Sequence, residues 1–210
     1  MTKNSDSQPY IIGLTGNIAT GKSTILAYLA AKGAHVIDAD KLAHVAMYPD
    51  GPAYHSIVDA FGRDILDQNG QIVRAKLGAI VFQDPAALKR LENISHPAVY
   101  QLAQQEIEQT EANIVILEAI KLLDGGQTIS LCDAIWVVTA SEDTQLRRLR
   151  EHRGMDEETA RSRMSAQSSQ EEKVKQADQV INNDGNEAEL FSQLDNLWAE
   201  LQRNCDERTH

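Results

Sequence analysis

Five short apolar runs, rich in Val and Ile, punctuate the chain: Tyr10 to Thr15, His35 to Asp38, Ile114 to Glu118, Ala134 to Thr139 and Gln179 to Asn182. They show little alternation, as strands buried on both faces do. Between them the spacing turns helical. Ser23 to Lys32 puts Leu26, Leu29 and Ala30 on one face and runs into Gly33, a residue suited to a helix C-cap. Strands alternating with helices predict an α/β fold with a parallel sheet covered on both sides.

From Met47 to Glu111 the rhythm breaks. Helix-like segments follow one another (Ala53 to Phe61, Arg74 to Phe82, Ala86 to Ile94, Pro97 to Gln109) with no strand between them. Turn signals separate them at Pro49-Asp50-Gly51-Pro52, Asn69-Gly70 and Asp84-Pro85. This predicts a helical insertion beside the sheet. A second helical pair, Glu142 to His152 and Asp156 to Gln167, precedes the last strand. The tails, Met1 to Gln8 and Arg203 to His210, are expected to be mobile.

The bulk numbers narrow the class. At 210 residues the chain holds one sizeable core, or one core with an inserted lobe. No apolar run approaches the ~20 residues of a membrane span, and Met1 to Gln8 is too polar for a signal peptide. A reducing cytosol is the expected compartment. Cys132 and Cys205 lack metal-type spacing and read as bystanders. A net charge of −11 argues against a general nucleic-acid binder, and an acidic, mostly polar exterior is compatible with a monomer.

The cations are unevenly placed. Eight of the twenty (Arg147, Arg148, Arg150, Arg153, Arg161, Arg163, Lys173, Lys175) fall within 29 consecutive positions. They build either a local anion site or a solvated helix salt-bridged to Glu151, Glu157 and Glu158.

The most informative stretch is "GLTGNIATGKST", Gly13 to Thr24, directly after the first apolar run. Its core, Gly16-Asn17-Ile18-Ala19-Thr20-Gly21-Lys22-Ser23, fits G-x-x-x-x-G-K-[ST]. Glycines let the backbone turn its N–H groups toward phosphate oxygens, Lys22 can reach the β- and γ-phosphates, and the Ser23 hydroxyl can ligate Mg²⁺. The following helix points its positive end at the same anions. By chance the pattern arises in roughly one chain in a hundred; its position between a strand and a helix makes nucleotide binding the stronger reading.

Carboxylates mark the ends of the next two strands. "VIDADKLAH" ends with Asp38 and Asp40 at a strand's C-terminal edge, where α/β sheets place ligands. Alternation along the strand aims both at one face, one to accept a hydroxyl proton, the other to organise Mg²⁺ or water. Asp40 could instead cap a helix. Glu118 ends the third strand, either contacting Mg²⁺ through water or simply closing the strand. Arg148 and His152, four apart, share a helix face. Arginines there can close over a transferring phosphoryl group.

These pieces, in this order, resemble the dephospho-coenzyme A kinase family. "GLTGNIATGKST" resembles its loop, "VIDAD" its second strand, and "GPAYHSIVDAFGRDIL" an acceptor-lobe helix. "ISHPAV" resembles a His-Pro helix start, "QLRRL" with "RMSAQ" the lid, and "ADQVINNDG" the last strand, from about Tyr10 to Leu201. The resemblance implies a three-layer P-loop NTPase fold like that of nucleoside monophosphate kinases, a five-stranded parallel sheet with a helical acceptor lobe and a lid. It implies a single kinase domain with its core at about 9–46, 110–140 and 174–202, a coenzyme A-binding insertion at about 47–109 and a lid at about 142–172.

The implied reaction is ATP-dependent phosphorylation of the ribose 3′-hydroxyl of dephospho-CoA, with Mg²⁺ as cofactor and no membrane or nucleic-acid partner. By position, Asp40 matches the family's base and Arg148 a lid arginine. Gly16, Asn17, Ala19, Thr20, Gly21, Lys22, Ser23 and Thr24 match the ATP-contacting loop; Ser23 matches the Mg²⁺ ligand, with Asp38 or Glu118 acting through water.

Some positions depart from the pattern. Asn17 and Ala19 replace glycines of the more usual loop, His44 stands where an arginine usually follows "DADxxA", and His152 replaces a second lid arginine, with Arg153 beside it. Ile120-Lys121-Leu122 replaces a Pro-Leu-Leu. A histidine carries less positive charge than an arginine at neutral pH, so acceptor contacts are where a weakening is expected. Two other readings fit the loop alone: a kinase for a nucleoside or shikimate-like acceptor, and a nucleotide-binding module without catalysis. A retained Asp40 argues against the second.

Overall fold

The computed structural model describes residues 8–124 and 127–208; the outer parts of both expected tails lie outside them. By internal contacts the described chain divides into two compact units. One holds residues 8–37, 110–124 and 129–208, the other Asp38–Gln109 with residues 127 and 128.

The first unit is built on a sheet of strands β1 (Tyr10–Gly16), β2 (His35–Asp38), β3 (Ile114–Glu118), β4 (Ala134–Thr139) and β5 (Gln179–Asn182). Their order is β2-β3-β1-β4-β5, all parallel. Both neighbours of β1 are thus non-sequential, as crossover connections require. β1 is central and pairs with β3 from Tyr10↔Ile114 and with β4 from Ile12↔Ala134. Every residue of β3 is buried, the reason its sequence shows no alternation.

Helices α1 (Lys22–Ala31) and α9 (Glu187–Arg208) share a core with the sheet. Ile12, Leu14, Ile116, Trp136 and Val138 meet Ile25 and Leu29 from α1 and Leu190, Leu194 and Trp198 from α9. Each buried aliphatic side chain contributes about 1.5–3 kcal/mol. α1 ends as its sequence foretells. Gly33 takes φ 105, Gly33 N–H donates to Ala30 O at 3.0 Å, and Ala34 N–H donates to Leu29 O at 3.1 Å. That pair of bonds is a Schellman stop.

After β4 come α6 (Glu142–Arg153), α7 (Glu157–Ser165) and α8 (Gln170–Val174), each opened by a side-chain cap from Ser141, Asp156 and Ser169. The sequence pattern reads Asp156 to Gln167 as one helix and misses α8. Ser169 accepts from Glu172 N–H at 3.4 Å and starts a new helix where amphipathic spacing gives no signal. α9 runs through Arg208, where the sequence reading puts a loose tail from Arg203. With Leu190, Leu194, Trp198 and Leu201 docked, the helix propagates.

The second unit is helical: α2 (Ala39–Ala46), α3 (Tyr54–Phe61), α4 (Arg74–Val81) and α5 (Pro85–Gln109). Ala46, Ile57, Ile65, Leu77, Val81 and Ala87 form its core with Ala98. The pattern suggests two helices, Ala86 to Ile94 and Pro97 to Gln109, yet α5 is continuous with Pro97 inside it. Proline forfeits one backbone bond, but Ala87 before it and Ala98 after it are buried in the same core, which holds the two halves together. Among the described residues no helix is long and apolar enough to cross a membrane.

Candidate active site

The phosphate loop joins the end of β1 to the start of α1. Gly21 is the N-cap of α1 at φ 95, a left-handed conformation costly for any residue with a Cβ. Added there, a Cβ would collide with Asn183 Nδ2. Ala19 also sits at φ 60, the one non-glycine residue with positive φ among the described residues. Its Cβ is therefore tolerated at a cost of about 1–2 kcal/mol. No acidic side chain stands in the first turn of α1, which leaves its positive end for an anion.

Lys22 Nζ donates to Gly16 O at 2.8 Å and lies 3.8 Å from Glu118 Oε1. Glu118, the last residue of β3, is 8% exposed. Thr20 Oγ1 donates to Asn17 O at 2.9 Å and fixes the loop's curl. Ser23 and Thr24 are exposed in the first turn of α1. A turn that a Cβ would fill, a lysine at its centre, exposed hydroxyls and a buried carboxylate suit a triphosphate and a hard cation.

The cationic segment divides in two. Arg148 turns inward: Nη1 donates to Ala19 O and Thr20 O, each at 3.2 Å, and Nη2 to Asn183 O at 2.8 Å. Burial, with the charge of Arg147 added, holds its pKa below the ordinary arginine value. Lys173 also turns inward, donating to Asn17 Oδ1 at 2.7 Å. Arg150 and Arg161 instead pair with Glu157, at 3.5 Å and 2.9 Å, the solvated salt-bridged alternative. His152, Arg153 and Arg163 are exposed.

Three of these contacts carry residues to which sequence reasoning assigned no role. Asn183 Nδ2 donates to Thr20 O at 2.7 Å. Gln167 Oε1 accepts from Ile18 N–H at 2.7 Å, and Ser168 O accepts from Asn17 Nδ2 at 3.2 Å. Gln167 and Asn183 stand inside "RMSAQ" and "INNDG", so the motif strings contained the signal, but spacing could not say what they touch. A cavity of about 700 Å³ lies nearby, lined by Ala140, Ser141, Gln145, Arg161 and Gln170. Of the loop, Asn17 borders it; Lys22 and Ser23 do not.

In the second unit, Asp38 and Asp40 do not share a strand face. β2 stops at Asp38, which caps α2: Oδ1 accepts from Lys41 N–H at 3.0 Å, and Oδ2 lies 3.1 Å from Lys41 Nζ. Asp40 lies in the first turn of α2, exposed, where the helix dipole favours a negative charge. The capping role considered for Asp40 therefore belongs to Asp38. His44 occupies the last turn of the same helix, half-buried. Of the two cysteines, burial pushes the Cys132 thiol up to about 12, so it stays protonated at neutral pH, as befits a bystander.

A family model described as dephospho-CoA kinase matches residues 10–189 of this chain. The chain belongs to the dephospho-CoA kinase family. The resemblance read from the ordered motifs is thereby borne out. The chain is 48% identical to the dephospho-CoA kinase of Geobacillus kaustophilus over 186 residues, covering 87% of this chain and 92% of that one. It is 42% identical to the dephospho-CoA kinase of Geobacter sulfurreducens over 192 residues, covering 90% and 97%. A Thermus thermophilus crystal structure is 34% identical with a TM-score of 0.80, covering 93% of this chain and 99% of that one. Like the family, the chain has the P-loop kinase fold, with strands in the order β2-β3-β1-β4-β5.

Proposed function

We propose that this chain transfers the γ-phosphoryl group of ATP to the ribose 3′-hydroxyl of dephospho-CoA, giving coenzyme A and ADP, the last step of coenzyme A biosynthesis. The observation that supports it most is Lys22, set at the head of α1 beneath a left-handed Gly21, in a chain that a dephospho-CoA kinase model matches over residues 10–189. The relatives carry that activity in their names.

The reaction is an in-line displacement. The 3′-oxygen bonds to the γ-phosphorus, the bond from that phosphorus to the β–γ bridging oxygen breaks, and its electron pair leaves on ADP. Asp40 orients the hydroxyl and takes its proton, the role the family resemblance gives it. Amides from Gly16 to Thr24 and the Lys22 ammonium hold the β- and γ-phosphates. Arg148 already grips the loop carbonyls and moves its charge to the transferring group when nucleotide arrives. A bound Mg²⁺ would supply positive charge to offset that of the phosphate chain. The Ser23 hydroxyl would hold it, with Asp38 or Glu118 acting through water.

In this reading residues 142–172 form a lid, residues 47–109 bind the coenzyme A moiety, and the protein works in the cytoplasm as a monomer. The experiment is a substrate panel with Mg-ATP: dephospho-CoA, a nucleoside and shikimate as acceptors. ADP release with dephospho-CoA alone supports the reading. Turnover with another acceptor, or ATP binding with no turnover, overturns it.

A further inference from the structure

Lys173 is remote in sequence from the phosphate loop, yet its side chain is 3% exposed and its ammonium reaches Asn17 Oδ1 at 2.7 Å. Among the described residues no carboxylate stands within ion-pair distance of it. Burial holds its pKa below the ordinary lysine value; the charge of Asp124 opposes this and that of Lys22 reinforces it. A buried ammonium matched with a neutral amide, close enough to a second ammonium to feel it, is an unfavourable arrangement. It becomes favourable once an anion with several negative charges enters the loop that both lysines face.

Its surroundings hold it in place. Asn17 accepts from Lys173 through Oδ1 and donates through Nδ2 to Ser168 O at 3.2 Å, while Gln167 Oε1 takes Ile18 N–H at 2.7 Å. The segment from Gln167 through α8 is thereby fastened to the first turn of the loop, at Asn17 and Ile18. Lys22 enters the loop from the α1 side. Lys173 meets the loop at Asn17, the residue next to Gly16, whose carbonyl Lys22 holds, so the two ammoniums are anchored at adjacent residues of the loop.

We infer that Lys173 is a second phosphate-binding lysine of this site, taking an oxygen of the γ-phosphoryl group of ATP, with Asn17 as the positioning residue that holds its ammonium beforehand. The inference rests on the kinase reading for the identity of the nucleotide. It assigns Lys173 a preference: ATP, which has the γ-phosphate, gains from it, and ADP does not.

The test measures dissociation constants for ATP and ADP, with Mg²⁺ and without acceptor, in the wild type, Lys173→Gln, Lys173→Met and Lys173→Arg. Gln removes the charge but can still donate to Asn17; Met removes both, and Arg restores the charge. Loss of one charged hydrogen bond predicts ATP binding weakened by about tenfold to a hundredfold in Gln and Met. ADP binding stays within about threefold, and Arg recovers most of the loss. Equal weakening of ATP and ADP, or no change for Gln, overturns the assignment and leaves Lys173 a structural fastener. Should Met fail to fold, the Gln variant carries the test, with unfolding midpoints measured without nucleotide as the control. Wild-type turnover of dephospho-CoA, measured in parallel, separates the two readings: its absence overturns the kinase reading, whereas the ATP-to-ADP ratio decides Lys173 alone.

Discussion

Asn183, just past the end of β5, donates its side-chain amide to the carbonyl of Thr20 at 2.7 Å, tying one end of the sheet to the phosphate loop. The same nitrogen closes off the space beside Gly21. Gly21→Ala therefore meets both a left-handed backbone and a filled site, and should cost about 2–4 kcal/mol of stability along with most ATP affinity. Asn183→Ala should cost about 1–3 kcal/mol through the lost bond. In the double variant the collision is gone, so the costs should fall short of additivity by about 1 kcal/mol or more in a thermodynamic cycle. Strict additivity would mean that the two residues do not press on each other.

Arg148 spans three carbonyls, those of Ala19, Thr20 and Asn183. A lysine carries the same charge but lacks the planar fork that reaches all three. Arg148→Lys should lower stability by about 1–3 kcal/mol and reduce kcat more than ATP affinity. Denaturant titration and steady-state kinetics check the two parts. A variant with unchanged kcat would remove Arg148 from phosphoryl transfer and leave it a brace.

Asp40 is exposed in the first turn of α2, while Asp38 is committed to the cap and to Lys41. Replacing Asp40 by Asn should lower kcat about 10²- to 10⁴-fold, the range for a lost general base, with ATP affinity little changed. Asp38→Asn retains a capping group and should show a much smaller loss. The opposite ranking would move the base to Asp38.

Asp184 accepts from Ser141 N–H and from Ser141 Oγ, each at 2.7 Å, at the entrance to α6. The Ser141 hydrogen bonds, backbone first, hold its carboxyl below the usual carboxylate range. A folded-state pKa depressed in this way adds stability above the unfolded value, about 3.9, and loses it as pH falls through the folded one. Unfolding midpoints should therefore fall more steeply below about pH 4 in the wild type than in Asp184→Asn. Parallel curves would show that the Ser141 contacts contribute nothing in that window.

β1, β3 and β4 were legible because burial on both faces leaves an unbroken apolar run; β2, β3, β4 and β5 have the bounds the pattern predicts, and β1 extends one residue further, to Gly16. The loop was legible because its chemistry demands fixed residues at fixed spacing. What escaped depends on contacts between distant segments. Pro97 looks like a break until Ala87 and Ala98 are seen in one core. Alternation misplaced Asp40 because a four-residue strand gives way to a helix at Asp38, and a cap is a local hydrogen bond that periodicity cannot register. Lys173 was visible only as one cation among eight. Its burial against Asn17 is set by the path of the chain from Gln167 to α8.

The most direct measurement is the product itself. Purified protein, Mg-ATP and dephospho-CoA should yield ADP together with a product one phosphoryl group heavier, and fragmentation should place that group on the ribose 3′-oxygen. A phosphoryl group found on any other oxygen, or ADP formed equally well without acceptor, would contradict the account.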